Sequence, residues 1–270
     1  MELPVKQRCG GVNVWPVFDV AAESYDRFMG RYSSGLSGQL ADFAGVARGD
    51  TVVDVGCGPG ALTAELVRRL GAGSVTACDP SEQFVDAMRA RYPEVRVDRA
   101  VAEELPYPDG AFDRALAQLV VHFMADPVAG LREMARVTHE GGTVTACVWD
   151  HSEGGQGALS AFMRARHRFD PPQPPFSSRP GEAPGELAEL FEQAGLTRLE
   201  ETVLTVRVEH DTFEEWWEPY TFGVGPNADY FGSLSPEQRE RLRELAREEV
   251  PPAPFVLEAR SWAVRAVTGR

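Results

Sequence analysis

The segment VVDVGCGPGALTAEL, from Val52 to Leu66, constrains the fold more than any other part of this chain. An apolar run of strand length leads into three alternating glycines, Gly56, Gly58 and Gly60, and a pattern of helical period follows. Glycine permits left-handed backbone and lets a ligand approach the main chain closely. A helix that opens straight after such a loop points free N–H groups at whatever sits there. The stretch therefore predicts a strand, a ligand-binding turn and a helix. Asp54, two residues before the first glycine, places a carboxylate at the strand end. A glycine turn can also be a tight connection and nothing more, so the surrounding segments must decide.

Those segments alternate in period. SVTACD, VRVDRAVA, AFDRALAQLVVHF and TVTACVWD read as strands, whereas ALTAELVRRL, SEQFVDAMRARY and DPVAGLREMARVT read as helices. Gly71 is a helix stop, Ser81 an N-cap, Pro127 a first-turn proline and HEGG a turn. Short strands separated by helices predict an α/β fold, a doubly wound and mostly parallel sheet with helices on both faces. Ahead of this core, residues 1–17 read as a loose leader and 18–47 as two helices. Behind it, FDPPQPPFSSRPGEAPG reads as a loop or lid, ELAELFEQAG as a helix and LTRLEETVLTVRVEH as a long strand. Residues 211–250 read as a helical, aromatic insertion, and FVLEARSWAVRAV as a closing strand.

Charge and cysteine content narrow the partners. Asp and Glu total 41 against 27 Lys and Arg, a net charge of -14 among 270 residues. Such a surface repels phosphate backbones and anionic headgroups, so neither nucleic acid nor a bare membrane is an expected partner. Cys9, Cys57, Cys78 and Cys147 form no C-x-x-C pair and no zinc-ligand spacing, so no metal is expected and reduced thiols are. No apolar stretch approaches the about 20 residues needed to span a bilayer. MELPVKQRCGG lacks the apolar core of a signal peptide, and a cytoplasmic protein is expected.

Two cofactors suit the glycine loop, a nicotinamide dinucleotide and S-adenosylmethionine (SAM). Gly56, Gly58 and Ala61 satisfy G-x-G-x-x-[GA], and Asp79 ends the next strand, where a carboxylate can accept both ribose hydroxyls. Asp54 favours SAM. A carboxylate there would face the double negative charge of a pyrophosphate, whereas SAM brings an ammonium and a sulfonium. Pro59 also removes one N–H from a turn that would cradle phosphate.

With these residues in view, VVDVGCGPG resembles the first signature of the class I SAM-dependent methyltransferases. VTACDPSEQFVDAMRAR, AVAEELPYPDGAFDRALAQLVVHFMAD and LREMARVTHEGGTVTACVWD resemble the segments that follow it in that family. AESYDRFMGRYS is similar to the N-terminal helix of the ubiquinone/menaquinone-biosynthesis type of small-molecule methyltransferase. The resemblance covers about residues 20–150. It implies a Rossmann-like, seven-stranded sheet with an antiparallel edge hairpin strand and a helical cap. The implied units are a leader with cofactor-covering helices (1–47), a SAM-binding core (48–150), and the rest of the sheet with a substrate lid (151–270).

The resemblance also implies roles. Gly56, Cys57, Gly58 and Gly60 would line the methionine and ribose part, and Asp54 would lie under the amino group. Asp79 would take the ribose hydroxyls, with Pro80 and Ser81 beside it. Ala102 and Glu103 would border adenine, although Val101 stands where relatives often carry Asp. Gln118 and Leu119 would border the methionine portion. Tyr25 and Arg31 would cover the cofactor and meet its carboxylate.

The implied reaction moves a methyl from sulfur to an O, N or C nucleophile of a small molecule and leaves S-adenosylhomocysteine. Alignment and desolvation carry much of such a reaction. If a base is used, His122 and His151, near the ends of strands four and five, are the candidates. Trp149, Phe176, Trp216, Trp217, Tyr220 and Phe222 are candidates for an aromatic acceptor pocket. A nicotinamide-dependent oxidoreductase and a non-catalytic SAM-binding protein are the competing readings. The oligomeric state stays open.

Overall fold

The architecture comes from a computed structural model that describes residues 8–9, 12–13, 26–152, 154–170, 179–221 and 228–269. A short antiparallel pair, β1 (Arg8–Cys9) and β2 (Val12–Asn13), precedes the main body. A wide helical turn at Asp26–Gly30 leads directly into α1 (Arg31–Phe43). The chain then runs β3 (Val52–Val55), α2 (Ala61–Leu70), β4 (Val75–Asp79), α3 (Glu82–Arg91) and β5 (Arg96–Arg99). It continues through β6 (Phe112–Gln118), α4 (Pro127–Val137), β7 (Thr138–Trp149), α5 (Ser160–Phe169) and α6 (Glu186–Gln193). β8 (Thr197–His210) is followed by α7 (Phe213–Trp217), α8 (Ala228–Ser233) and α9 (Pro236–Glu248), and β9 (Phe255–Val267) closes the fold.

The sheet order is β5-β4-β3-β6-β7-β9-β8. β5, β4, β3, β6 and β7 pair in parallel. β9 runs antiparallel to both β7 and β8, so the reversed strand lies one position in from the edge. This is the seven-stranded, mostly parallel sheet that the sequence implied. Every residue of β3 is buried, as a strand covered on both faces requires. One core packs α1, α2, α3, α5 and α9 against the sheet, with Leu36, Leu40, Leu66, Met88, Phe162 and Leu242 almost sealed from solvent. The other packs α4 and α6 through Leu131, Met134, Leu187 and Phe191.

Local chemistry sets the boundaries. Ser81 accepts from the Phe84 N–H to cap α3, and Asp126 accepts from the Ala129 N–H to cap α4, with Pro127 in its first turn. Ser235 and Gln238 form a reciprocal capping box on α9. Two expectations shift. HEGG does not interrupt the chain ahead of β7, because the strand runs from Thr138 and an irregularity opposite Phe112 and Arg114 absorbs the extra residues. β6 stops at Gln118 rather than Phe123, because Leu119 turns into the left-handed region at φ 62° and Val121–Phe123 form a tight helical turn.

The aromatic residues described in the first helices between β8 and β9 pack inward. Trp216, Trp217 and Tyr220 are 2%, 5% and 6% exposed, and Tyr220 stacks on Phe162 of α5 with ring centroids 4.4 Å apart. A five-residue helix has little else with which to anchor itself. Phe162→Ala should therefore lower the unfolding free energy by about 3–5 kcal/mol, read by urea denaturation, as for other fully buried rings.

Candidate functional site

The glycine loop forms the floor of a cleft at the carboxyl ends of β3, β4 and β6. The cleft encloses about 1180 Å³ including its open mouth. Ligands of open α/β sheets bind at such strand ends. Gly56 and Gly58 line the cleft with left-handed backbone, φ 73° and 52°. A Cβ on Gly56 would come within 2.5 Å of the Val120 side chain, so only glycine lets the loop close beneath the β6 turn.

Two carboxylates flank the loop. Asp79 at the end of β4 accepts from the Gly58 N–H at 2.9 Å through one oxygen and from the Ser81 N–H at 2.8 Å through the other. Each oxygen keeps a second lone pair for a ligand hydroxyl. Asp54 accepts from the Thr63 hydroxyl at 2.6 Å. Burial pushes the Asp54 carboxyl up to about 7, against the Thr63 hydrogen bond and with the Asp79 charge adding to it. Burial likewise raises Asp79 to about 6, partly offset by its two backbone donors. No Lys, Arg or His is among the described residues that line the cleft. Two desolvated carboxylates without a side-chain counter-charge make the cleft a site for a cation.

Gln118 supplies a third polar group. Its amide nitrogen donates to the Ser33 carbonyl at 3.0 Å and ties β6 to α1. Its amide oxygen is buried and has no partner among the described residues. A buried acceptor of this kind awaits a donor, and a ligand ammonium would supply one. Glu103 caps the chain ahead of α4, accepting from the Ala125 and Asp126 N–H groups at 2.7 and 3.1 Å. Cys57 lies in the cleft as a buried thiol raised by burial and by the nearby Asp79.

Of the expected cofactor residues, Asp54, Gly56, Cys57, Gly58, Asp79, Pro80, Ala102, Glu103, Gln118 and Leu119 all line this cleft. Gly60, Ser81 and Arg31 do not. Gly60, at φ 100°, is needed because a Cβ would sit 2.3 Å from the Met88 sulfur, so it serves helix packing. Ser81 acts behind the site, capping α3 and holding Asp79. Arg31 turns away from the cleft to bind Glu215 and the Glu209 carbonyl. Tyr25, Phe176 and Phe222 lie outside the described residues.

The acceptor and base candidates also fall elsewhere. Trp149 is 3% exposed and packs edge-on against Tyr32, and Trp216, Trp217 and Tyr220 belong to the core beneath α7. His122 and His151 are buried around Glu182, with His151 Nδ1 3.2 Å and His122 Nε2 3.9 Å from the same carboxylate oxygen. Burial, Arg179 and His151 hold the His122 imidazole well below its usual range, so it is neutral at pH 7. Neither histidine lines the cleft. Phe123, which does line it, has its ring centroid 4.0 Å from that of His122. The sequence reading missed Ser33, Thr63, Val120, Phe123, Met124 and Glu182. A hydroxyl two residues into the helix after the loop was the only advance signal, and it pointed to Thr63.

Residues 53–146 match the family model described as a methyltransferase domain. Over these residues the chain is similar to a methyltransferase domain. The ubiquinone/menaquinone biosynthesis C-methyltransferase of Bdellovibrio bacteriovorus is 32% identical over 136 residues, 47% of this chain and 58% of that protein. The malonyl-[acyl-carrier protein] O-methyltransferase of Erwinia billingiae is 34% identical over 128 residues, 47% of this chain and 49% of that protein. This chain thus spans about half the length of the curated relatives it matches. A chain from a complex of the Haloferax volcanii Trm112 methyltransferase activator with a methyltransferase has the same fold, with a TM-score of 0.59. That match has 22% identity and covers 92% of this chain and 96% of the other. The geranyl diphosphate C-methyltransferase of Streptomyces coelicolor A3(2) has a TM-score of 0.51 at 18% identity, over 93% of this chain and 85% of that one.

The raised carboxyls of the cleft have a pH consequence. Between the ordinary carboxyl value of 3.8 and their native values of about 6 and 7, Asp79 and Asp54 hold protons that the unfolded chain has lost. Their contribution to stability is complete below the ordinary value and disappears as pH rises through 6 and 7. A cationic ligand restores it by pairing the ionised forms. The melting-temperature gain from saturating SAM should therefore be larger at pH 8 than at pH 5.5, and Asp54→Asn should reduce that difference.

Proposed function

We propose that this protein is a SAM-dependent methyltransferase that transfers a methyl group to an O, N or C nucleophile of a small molecule. The observation that carries the reading is the pair of buried carboxylates, Asp54 and Asp79, around a glycine loop with no cationic side chain among its described lining. A dinucleotide would bring its pyrophosphate into that field and meet repulsion, whereas an ammonium and a sulfonium are attracted. The residues fit the cofactor. Asp79, whose oxygens keep free lone pairs, would take the ribose hydroxyls, and Asp54 with the Gln118 oxygen, unpartnered among the described residues, would take the amino group. When bound, SAM supplies an electrophilic methyl on a positively charged sulfur.

The chain's own residues do the rest by orientation and by keeping water out. Phe84, Leu119, Val120, Phe123 and Met124 form apolar walls, and the left-handed Leu119, with its N–H held by the Cys147 carbonyl at 2.9 Å, fixes the β6 turn. Of the carboxylates in the described cleft lining, Asp54 and Asp79 are assigned to the cofactor and Glu103 is held by the Ala125 and Asp126 N–H groups, and no histidine or lysine lines it. Catalysis is therefore ascribed to alignment and desolvation. A small-molecule acceptor is supported by the matched quinone-pathway and geranyl diphosphate C-methyltransferases.

Calorimetric titration with SAM, S-adenosylhomocysteine and NADH tests this reading. Both adenosyl ligands should bind and NADH should not; the reverse order would overturn it. Asp79→Ala removes charged hydrogen bonds worth about 1.5–3 kcal/mol, so S-adenosylhomocysteine affinity should fall roughly 10–100-fold with little change in the circular dichroism spectrum.

A further inference from the structure

The cleft is unevenly equipped for the two charged groups of an amino-acid end. For an ammonium it holds the Asp54 carboxylate, the nearby Asp79 and the buried Gln118 amide oxygen, which has no partner among the described residues. For a carboxylate it holds no Lys, Arg or His among its described lining. Segments 14–25, 171–178 and 222–227, outside the described residues, contain no Lys, Arg or His in the sequence.

Four arginines meet residues of the lining or stand next to one in the chain, and none of them lines the cleft. Arg31, which follows Gly30, binds Glu215 and the Glu209 carbonyl. Arg91 donates to the Pro59 carbonyl at 2.9 Å. Arg99 donates to the Pro80 carbonyl at 3.2 Å and to Glu82 at 3.0 Å. The Arg179 guanidinium stands 4.7 Å from the centre of the Phe123 ring.

A glycine loop can hold an anion with its own N–H groups. In this loop those groups are already used. The N–H groups of Gly56 and Cys57 donate to the Cys78 carbonyl at 2.8 and 2.9 Å. That of Gly58 donates to Asp79 at 2.9 Å, and that of Gly60 to the Cys57 carbonyl at 3.0 Å. Pro59 has none. In the first turn of α2, Thr63 donates to Asp54 through its hydroxyl, at 2.6 Å, and through its N–H. The start of that helix thus already serves a carboxylate of the protein. The donors left for a ligand carboxylate are neutral: the Ser33 hydroxyl, the one hydroxyl of the described lining, and the first N–H groups of α2, on Ala61 and Leu62.

A hydrogen bond with an ionised partner is roughly twice as strong as one between neutral groups. Two carboxylates of the protein also repel a third, and a desolvated cleft screens that repulsion less than water does. The ammonium therefore carries the binding of the amino-acid end.

We propose that this cleft selects its ligand by the ammonium and not by the carboxylate of the amino-acid end, so that a decarboxylated adenosyl ligand, which keeps the amine, binds as well as the amino acid itself. The inference rests on the methyltransferase reading, because it concerns the adenosyl ligand of that cleft.

Calorimetric titration at pH 8 tests it with three thioethers that share the adenosine. These are S-adenosylhomocysteine, its decarboxylated form, which ends in an aminopropyl chain, and its deaminated form, which ends in a carboxypropyl chain. The aminopropyl form should bind more tightly than S-adenosylhomocysteine or no more than about threefold more weakly. The carboxypropyl form should bind roughly 10–100-fold more weakly, the loss expected for a charged hydrogen bond. Asp54→Asn should weaken both amines roughly tenfold and leave the carboxypropyl form unchanged or tighter. An aminopropyl form weaker than that limit would overturn the inference and assign the carboxylate to a cation whose side chain lies outside the described residues, such as Arg27. A carboxypropyl form less than tenfold weaker, or an Asp54→Asn variant that binds the aminopropyl form as tightly as the parent protein, would overturn it too. Failure of all three thioethers to bind would instead remove the methyltransferase reading.

Discussion

The structure around the glycine loop depends on holding two carboxylates out of water beside each other. Asp54 has Thr63, and Asp79 has the Gly58 and Ser81 N–H groups. These donors do not remove the desolvation cost, since both acids are left above the usual carboxylate range. Backbone geometry makes the arrangement possible. Gly56 and Gly58 turn the chain so that an amide points at Asp79, and Gly60 lets α2 approach α3 through Met88. Sequence, turn and charge are thus one device, in which the loop presents a negative field to a ligand carrying positive charge.

α1 joins that device to the helices between β8 and β9. On one face α1 and the turn before it contribute Ser33 and Gly30 to the cleft, and Gln118 reaches the Ser33 carbonyl from β6. On the other, Arg31 pairs with Glu215, Tyr32 meets His210, and Phe28 stands edge-on to Tyr220. The surface ion pair adds little by itself, but the buried ring contacts beneath it are extensive. Among the described residues, the cap thus meets the cleft through α1 and the turn before it.

The parts of the fold set by local chemistry were legible in the sequence. Strand-length apolar runs, the Ser81 cap, the first-turn Pro127 and the glycine loop placed β3, α2, β4, α3 and α4 almost to the residue, and ten expected cofactor residues meet in one cleft. Side-chain direction was not legible. Arg31 has the right chemistry for a carboxylate, but its place on α1 turns it to Glu215. Trp216, Trp217 and Tyr220 are aromatic enough for a lid, yet short helices need them for their own core. His122 and His151 were located near the correct strand ends, but both face Glu182, from a distant loop, and neither lines the cleft. In each case the partner lies far away in sequence, and only tertiary packing selects it.

The most direct test of the central claim is the count of protons released when SAM binds. It can be obtained by calorimetry at pH 6.5 in buffers of different ionisation enthalpy. With Asp54 raised to about 7, a large fraction of the unliganded protein carries a proton there. Pairing with a cationic ligand should expel it, giving a release that approaches one proton per site and falls to a small remainder from Asp79 in Asp54→Asn. Tight binding with no proton release, or equal release from the variant, would contradict a site organised around desolvated carboxylates.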